Sequence, residues 1–317
     1  MYILCSEITI GGKIFRGVNE VKINRSIHLI GATATIKVPV TAVLKQKDET
    51  VTAIETAKAI KVGDEVHISL GYNGQMNEEF RGYVKRLNYR TPLEIECEDA
   101  YYLTRSKTVT LSGTMTLKEC LQKCGLAVLY ATDLTLKNFV IDTKPVSHVL
   151  GKLKTDYGLN IFFDMEGRII TGRAFDIVSQ DVRYQLRYNV IRDDDLKYQL
   201  ASDIKLKVKA VCFKKDGTKV EGTIGTEGGV TKTLYFYDIE SMAELKTLAE
   251  QELKKYSRDG YEGKIETFLF PYAEPCMTAV LTDKTYPDRD GRYYVEGVET
   301  TFGTNGARRM VSLGIKM

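Results

Sequence analysis

Apolar residues occupy every second position over most of this chain, the period of half-buried β-strands rather than of helices. In KIFRGVNEVKINRS and ATATIKVPV the alternation predicts strands within residues 1–40, with IGGK as a turn. DEVHISLGY places Val66, Ile68 and Leu70 on one face, and PLEIECED does the same with Leu93, Ile95 and Cys97. Between them NGQMNEE reads as a turn and FRGYVKRLNYR as a strand. Residues 41–62 break the rhythm and are expected to form a long, partly helical excursion, of the kind a partner orders. Residues 1–104 are thus a first β unit of barrel or sandwich type.

The period changes over residues 105–175. TMTLKECLQKCGL carries the marks of a capped helix: Thr116 as N-cap, Glu119 as the acid of a capping box, and Gly125 at the C-terminal end. PVSHVLGKLKTDYGLNIFFDMEGRIITGR reads as helix, strand, tight turn at DMEGR and strand, so this segment is a small α+β domain. Residues 176–317 return to strands and form a second β unit. Within it, 216–233 reads as a glycine-rich hairpin insertion, and 239–257 as a long helix. That helix has Asp238 near its start, an apolar face of Met242, Leu245, Leu248, Ala249 and Leu253, and Gly260 to stop it.

The two β units resemble each other in layout when Val84 is set against Val295. VGDEVHISL then opposes AEPCMTAVL, FRGYVKRL opposes GRYYVEGV, and LEIEC opposes MVSLGI. Alternation recurs throughout β proteins, so the pattern points to a repeat without establishing one.

Composition narrows the function. With 45 basic and 42 acidic residues the net charge is +3, which gives no electrostatic footprint for sequence-specific nucleic-acid binding. The stretch MYILCSEITIGGK reads as an opening strand rather than a signal peptide, and no window supplies the ~20 apolar residues of a membrane span. The expectation is a protein folded in the cytoplasm that does not insert into a membrane by itself. The six cysteines read as reduced thiols; Cys120 and Cys124 share a helix face but lack further ligands at zinc spacing. His28, His67 and His148 show no metal or catalytic spacing. The carboxylates of Arg192–Leu196 (RDDDL) point alternate ways on an extended chain, and Asp288–Gly291 (DRDG) reads as a hairpin turn. Gly225–Gly229 lacks the Lys-Ser/Thr of a phosphate loop. No catalytic, metal or cofactor-binding residue is assigned, and no cofactor is expected.

Several segments together resemble the phage tail baseplate hub family, which includes late-control D proteins and the N-terminal part of type VI spike proteins. They are VGDEVHISLGY, FRGYV, IECEDAYYLTR, NVIRDDDLKY, VKAV and YEGKIETFLFPY, followed by YPDRDGRYYVEGVETTFGTNGARRMVSLGIK. The resemblance implies two barrel-like tube domains flanking the small α+β domain. It implies a homotrimer whose ring of six tube domains meets a tail tube protein ring on one side. A separate spike protein and other baseplate proteins would be its further partners. The implied setting is a virion tail assembled in a bacterial host cytoplasm, in a phage or a related contractile injection system. A peptidoglycan- or glycan-hydrolysing tail enzyme is the alternative, for which no pair among the 42 acidic residues stands out.

Overall fold

The computed structural model describes residues 3–45, 51–173, 175–214 and 216–317. It is mainly β, and fourteen of its strands form one continuous sheet that closes into no complete barrel. Numbering only the strands of this sheet, the first half holds β1 (Leu4–Ile10), β2 (Lys13–Phe15), β3 (Glu20–Ser26), β4 (Thr33–Val38), β5 (Glu65–Tyr72), β6 (Gln75–Asn88) and β7 (Leu93–Glu98). The second half holds β8 (Asp181–Gln185), β9 (Val190–Arg192), β10 (Leu196–Gln199), β11 (Gly260–Thr267), β12 (Thr278–Thr282), β13 (Gly291–Gly303) and β14 (Gly306–Lys316).

The first unit runs β3-β4-β7-β6-β5-β1 and the second runs β9/β10-β11-β14-β13-β12-β8. Position by position this is one strand order, built twice. The match extends to single hydrogen bonds. Val84 accepts from the Gly63 N–H and donates to the Asp64 carbonyl, both at 2.8 Å. Val295 accepts from the Cys276 N–H at 3.0 Å and donates to the Met277 carbonyl at 2.8 Å. Both valines are fully buried beside a bulge in their hairpin. The preceding strands obey the same register with a two-residue offset, since Glu65 faces Tyr83 where Thr278 faces Tyr294. An even offset keeps every side chain on its own face, so the core is unaffected. One pairing differs: β1 lies antiparallel to β5, whereas β8 lies parallel to β12.

Several sequence expectations are corrected. NGQMNEE is a turn only at Asn73-Gly74, where both residues have positive φ; from Gln75 the chain is already strand. Such a two-residue turn follows the twist of the strands it joins. Within 41–62, Thr41–Lys45 and Val51–Glu55 pair as an antiparallel hairpin, followed by a short 3-10 turn at Thr56–Ala59. The middle of that hairpin lies outside the described residues. Residues 216–233 are not one hairpin insertion: Lys219–Gly225 pairs antiparallel with Leu206–Phe213, and Val230–Tyr237 lies parallel on its other side. Glycine permits this crossing. A Cβ on Gly229 would stand 2.6 Å from the Lys205 carbonyl oxygen.

The helices follow their sequence signals closely. α1 (Leu117–Lys123) has Thr116 as N-cap in a complete capping box with Glu119, and Gly125 takes positive φ just past its end. α2 (Val146–Tyr157) buries Val146, Val149, Leu150 and Leu153, and together with α1 it covers the middle core. The antiparallel strands Asn160–Phe163 and Ile169–Gly172 flank the DMEGR turn. α3 (Met242–Tyr256) is capped by Ser241 rather than Asp238, and Gly260 opens β11 instead of ending the helix. Its Leu245 and Ala249 pack on Val208, Ala210, Cys212 and Phe236 of the three-stranded sheet, a small core of its own.

Equivalence of the two units predicts equal sensitivity at their matched valines. Val84→Ala and Val295→Ala should each cost about 2 kcal/mol, read as a lowered urea midpoint with unchanged slope. A loss confined to one of them would mark the match as superficial.

Candidate assembly interface

The two β units are joined edge to edge. β3 pairs antiparallel with β13 from Ser26 opposite Gly297 to Glu20 opposite Gly303, which makes the sheet continuous. Behind this seam the first core takes in Leu269, Phe302 and Ala307 from the second unit. Tyr72 spans it: its hydroxyl donates to the Ala307 carbonyl at 2.9 Å and accepts from the Leu269 N–H at 3.4 Å. Its ring lies edge-on to Phe268, with centroids 6.3 Å apart.

A buried ion pair crosses the same seam. Arg309 on β14 is fully buried, and its guanidinium donates to the Glu79 carboxylate on β6 and to the carbonyls of Leu269 and Pro271. Glu79 is 3% exposed and also accepts from the Thr300 hydroxyl at 3.4 Å. A bulge places it there: Ile68 faces Phe80 and Ser69 faces Glu78, so Glu79 is the extra residue. Burial raises the Glu79 carboxyl above the usual carboxylate range, and Arg309 opposes that shift. A second contact lies beside it. Arg25 on β3 donates to the Tyr272 hydroxyl at 3.0 Å and to Glu274 at 3.1 Å. Burial alone would lower the Arg25 pKa, but Tyr272 and Glu274 outweigh it.

The segment IECEDAYYLTR forms the exit from the first unit. Glu98 receives two hydrogen bonds from Arg105, each 2.7 Å. Asp99 accepts from the backbone N–H groups of Ala32 at 2.8 Å and Tyr101 at 3.0 Å, capping the turn Ala100–Arg105. Burial nevertheless pushes the Asp99 carboxyl up to about 7. Asp99 lines a cleft of about 430 Å³ where the β units meet the middle domain, with Arg25, Glu78, Asp164, Glu166 and Glu274. Each acid there is engaged: Glu78 with His67 and Arg81, Asp164 and Glu166 with Arg168, Glu274 with Arg25. No two of them are held as a general acid and a free base, the arrangement a glycan hydrolase needs.

The remaining candidates stay apart. His28 meets Glu296 at 3.2 Å, His67 meets Glu78 at 2.8 Å, and His148 is exposed on α2. Cys120 and Cys124 are buried free thiols in the middle core. Asp194 and Asp195 are exposed before β10, and Asp288–Asp290 lies in the turn leading into β13, which Gly291 opens. Among the described residues no three His, Cys, Asp or Glu side chains are grouped to hold a metal, and no helix is long and apolar enough to cross a membrane. Sequence reading missed Glu79, Arg309 and Arg25. Glu79 is turned inward by the bulge, whereas Arg309 and Arg25 occupy inward positions of the alternation, in line with Ala307 and Val311 and with Val21 and Ile23.

Comparison with solved structures decides the fold. A tail protein from Neisseria meningitidis MC58 superposes with a TM-score of 0.60 at 12% identity, over 100% of this chain and 97% of that one. The 43 kDa tail protein of prophage MuSo2 from Shewanella oneidensis gives 0.61 at 16% identity, over 98% of both. This chain has the fold of phage tail proteins. The same fold extends to the E. coli c3393 protein, a type VI secretion component with structural similarity to the T4 tail proteins gp27 and gp5. That likeness has a TM-score of 0.57 at 9% identity, over 96% of this chain and 76% of that one. No family model and no curated protein sequence matches.

Two predictions follow from the buried charges of this tail-protein fold. Arg309→Met should destabilise by about 3–5 kcal/mol in urea unfolding, because Glu79 is left buried without its cation. Adding Glu79→Gln should restore most of the loss. For Asp99, the native chain keeps a proton between the ordinary value of 3.8 and about 7 that the unfolded chain has released. Stability should therefore fall as pH rises through that window, by roughly 4 kcal/mol in all. Asp99→Asn should flatten this part of the profile of urea midpoint against pH.

Proposed function

We propose that this protein is a structural hub in the baseplate of a phage tail or a related contractile injection system. Three copies form a ring, which joins a tail tube protein ring to a central spike protein and contacts other baseplate proteins. Residues 1–104 and 176–317 supply the two tube domains of each copy, and 105–175 is the domain between them.

One observation carries this reading: a single strand order occurs twice in a chain with a tail-protein fold. A threefold ring of chains with two equivalent domains presents six similar surfaces. One face then matches a six-subunit tube, while the whole keeps the threefold symmetry a trimeric spike requires. The role asks for rigidity rather than chemistry. The seam supplies it through a shared sheet, a shared core and a fully desolvated ion pair. The engaged carboxylates of the cleft favour this role over glycan hydrolysis. A permanent ring of this kind buries on the order of 2,000 Å² per interface.

Mass photometry and electron microscopy of the purified protein test the proposal. The expected result is a ring of three times 35.7 kDa with threefold symmetry and a sixfold-like outline. A monomer at micromolar concentration that is also absent as a ring from assembled particles would refute it. Cleared zones on a peptidoglycan gel would favour the hydrolase instead.

A further inference from the structure

The segment 200–259, inserted between β10 and β11, leaves a cavity of about 260 Å³ where it meets the second β unit. Lys232 of the strand Val230–Tyr237 and Tyr256 at the end of α3 line one side. Tyr261 of β11 and Leu313, Ile315 and Lys316 of β14 line the other. Register puts Lys232 there. It stands beside Val208, which packs under α3, so its side chain leaves the sheet on the α3 side. Its ammonium lies over the Tyr256 ring, 3.6 Å from the centroid.

The donors of this cavity have too few acceptors. Among the described residues the half-buried Lys232 ammonium makes no hydrogen bond and no ion pair, and neither does the exposed Arg258 guanidinium. Lys316 donates only to the Asp259 carbonyl, at 3.1 Å, and Lys255 is paired with Glu252 at 2.7 Å. The two carboxylates of the lining are engaged elsewhere: Glu262 accepts from Gln199, and Glu296 meets His28 at 3.2 Å. Burial lowers the Lys232 pKa, against a weaker opposing pull from Glu296 and Glu262. An ammonium withdrawn from water without an acceptor is costly, and an anion placed against it removes that cost. α3 ends beside the cavity, and Lys254 and Lys255 of its last turn offset the partial negative charge of its final carbonyls.

We propose that this cavity binds a carboxylate carried on a short apolar body, the chemistry of an acidic side chain or a free carboxyl terminus of a polypeptide. Lys232 and Arg258 receive the carboxylate, the first as a point charge and the second as a planar fork. Ile204, Leu206 and Leu313, with the rings of Tyr261 and Tyr293, line the rest of the space and suit the apolar body behind the charge. A bare inorganic anion would leave that wall uncovered. Every residue of the site belongs to one chain, so binding does not depend on the ring.

Calorimetric titration of the full chain with two capped peptides tests the site. Acetyl-Ala-Leu-Glu-amide presents a side-chain carboxylate and acetyl-Ala-Ala-Leu a free terminus; binding of either supports the site, and the tighter one identifies the source. Acetyl-Ala-Leu-Gln-amide should not bind. Lys232→Gln and Arg258→Gln should each weaken binding by about tenfold, and the exposed Arg258 position should leave the urea midpoint unchanged. Bound peptide should also shield Lys232, but not the exposed Lys118 of α1, from reductive methylation mapped by mass spectrometry, which locates the site without any substitution. No binding of either carboxylate peptide at millimolar concentration, or binding that survives both substitutions and shields other lysines, would overturn the site. Inorganic phosphate competing as well as the peptides would overturn the part given to the apolar wall. A ring of three that fails these tests would refute the site and leave the hub reading standing.

Discussion

A single antiparallel pairing, β3 against β13, holds the architecture together. It turns two β units, whose seam strands lie 271 residues apart at Ser26 and Gly297, into one fourteen-stranded sheet and commits the polar groups along both edges. Hydrogen bonds alone would leave such a seam free to slide. Register is fixed by what lies behind it: Phe302 and Ala307 in the core of the first unit, Tyr72 bonded into the second, and Glu79 facing Arg309. A buried ion pair is poor at adding stability, since both ions give up hydration, but it penalises a misaligned partner heavily. In this seam the pair therefore fixes register more than it adds net stability.

The repeat explains features that are puzzling singly. The long strand β13 is split between two partners because one half closes its own unit and the other half receives a neighbour. Its counterpart β6 has 14 residues against 13 and the same buried valine at the switch, yet beyond Val84 it pairs with β7 alone. The RDDDL acids make little sense as a metal site. Asp194 and Asp195 are exposed in the turn that leads into β10 at the outer edge of the second unit.

Much of this was legible in the sequence. Val66, Ile68 and Leu70, and likewise Leu93, Ile95 and Cys97, announce their strands because a half-buried sheet admits only alternation. Thr116, Glu119 and Gly125 announce α1 because its ends need partners for backbone groups. Setting Val84 against Val295 found the register-true position of the repeat, while VGDEVHISL against AEPCMTAVL was two residues out, since Gly63 corresponds to Cys276. The seam was not legible, because edge pairing depends on backbone groups that every residue carries. Glu79 was hidden by a bulge, which breaks the two-residue period at one point. The crossing near Gly229 was read as a hairpin tip, since glycine marks a tight passage without saying where the chain goes next.

Backbone amide hydrogen exchange of the purified chain tests the central claim most directly. Amides of β3 and of residues 297–303 should exchange as slowly as those of the central strands β4 and β14. Fast exchange along β3 and residues 297–303, with protection confined to two separate cores, would contradict the seam as the constraint that makes the sheet continuous.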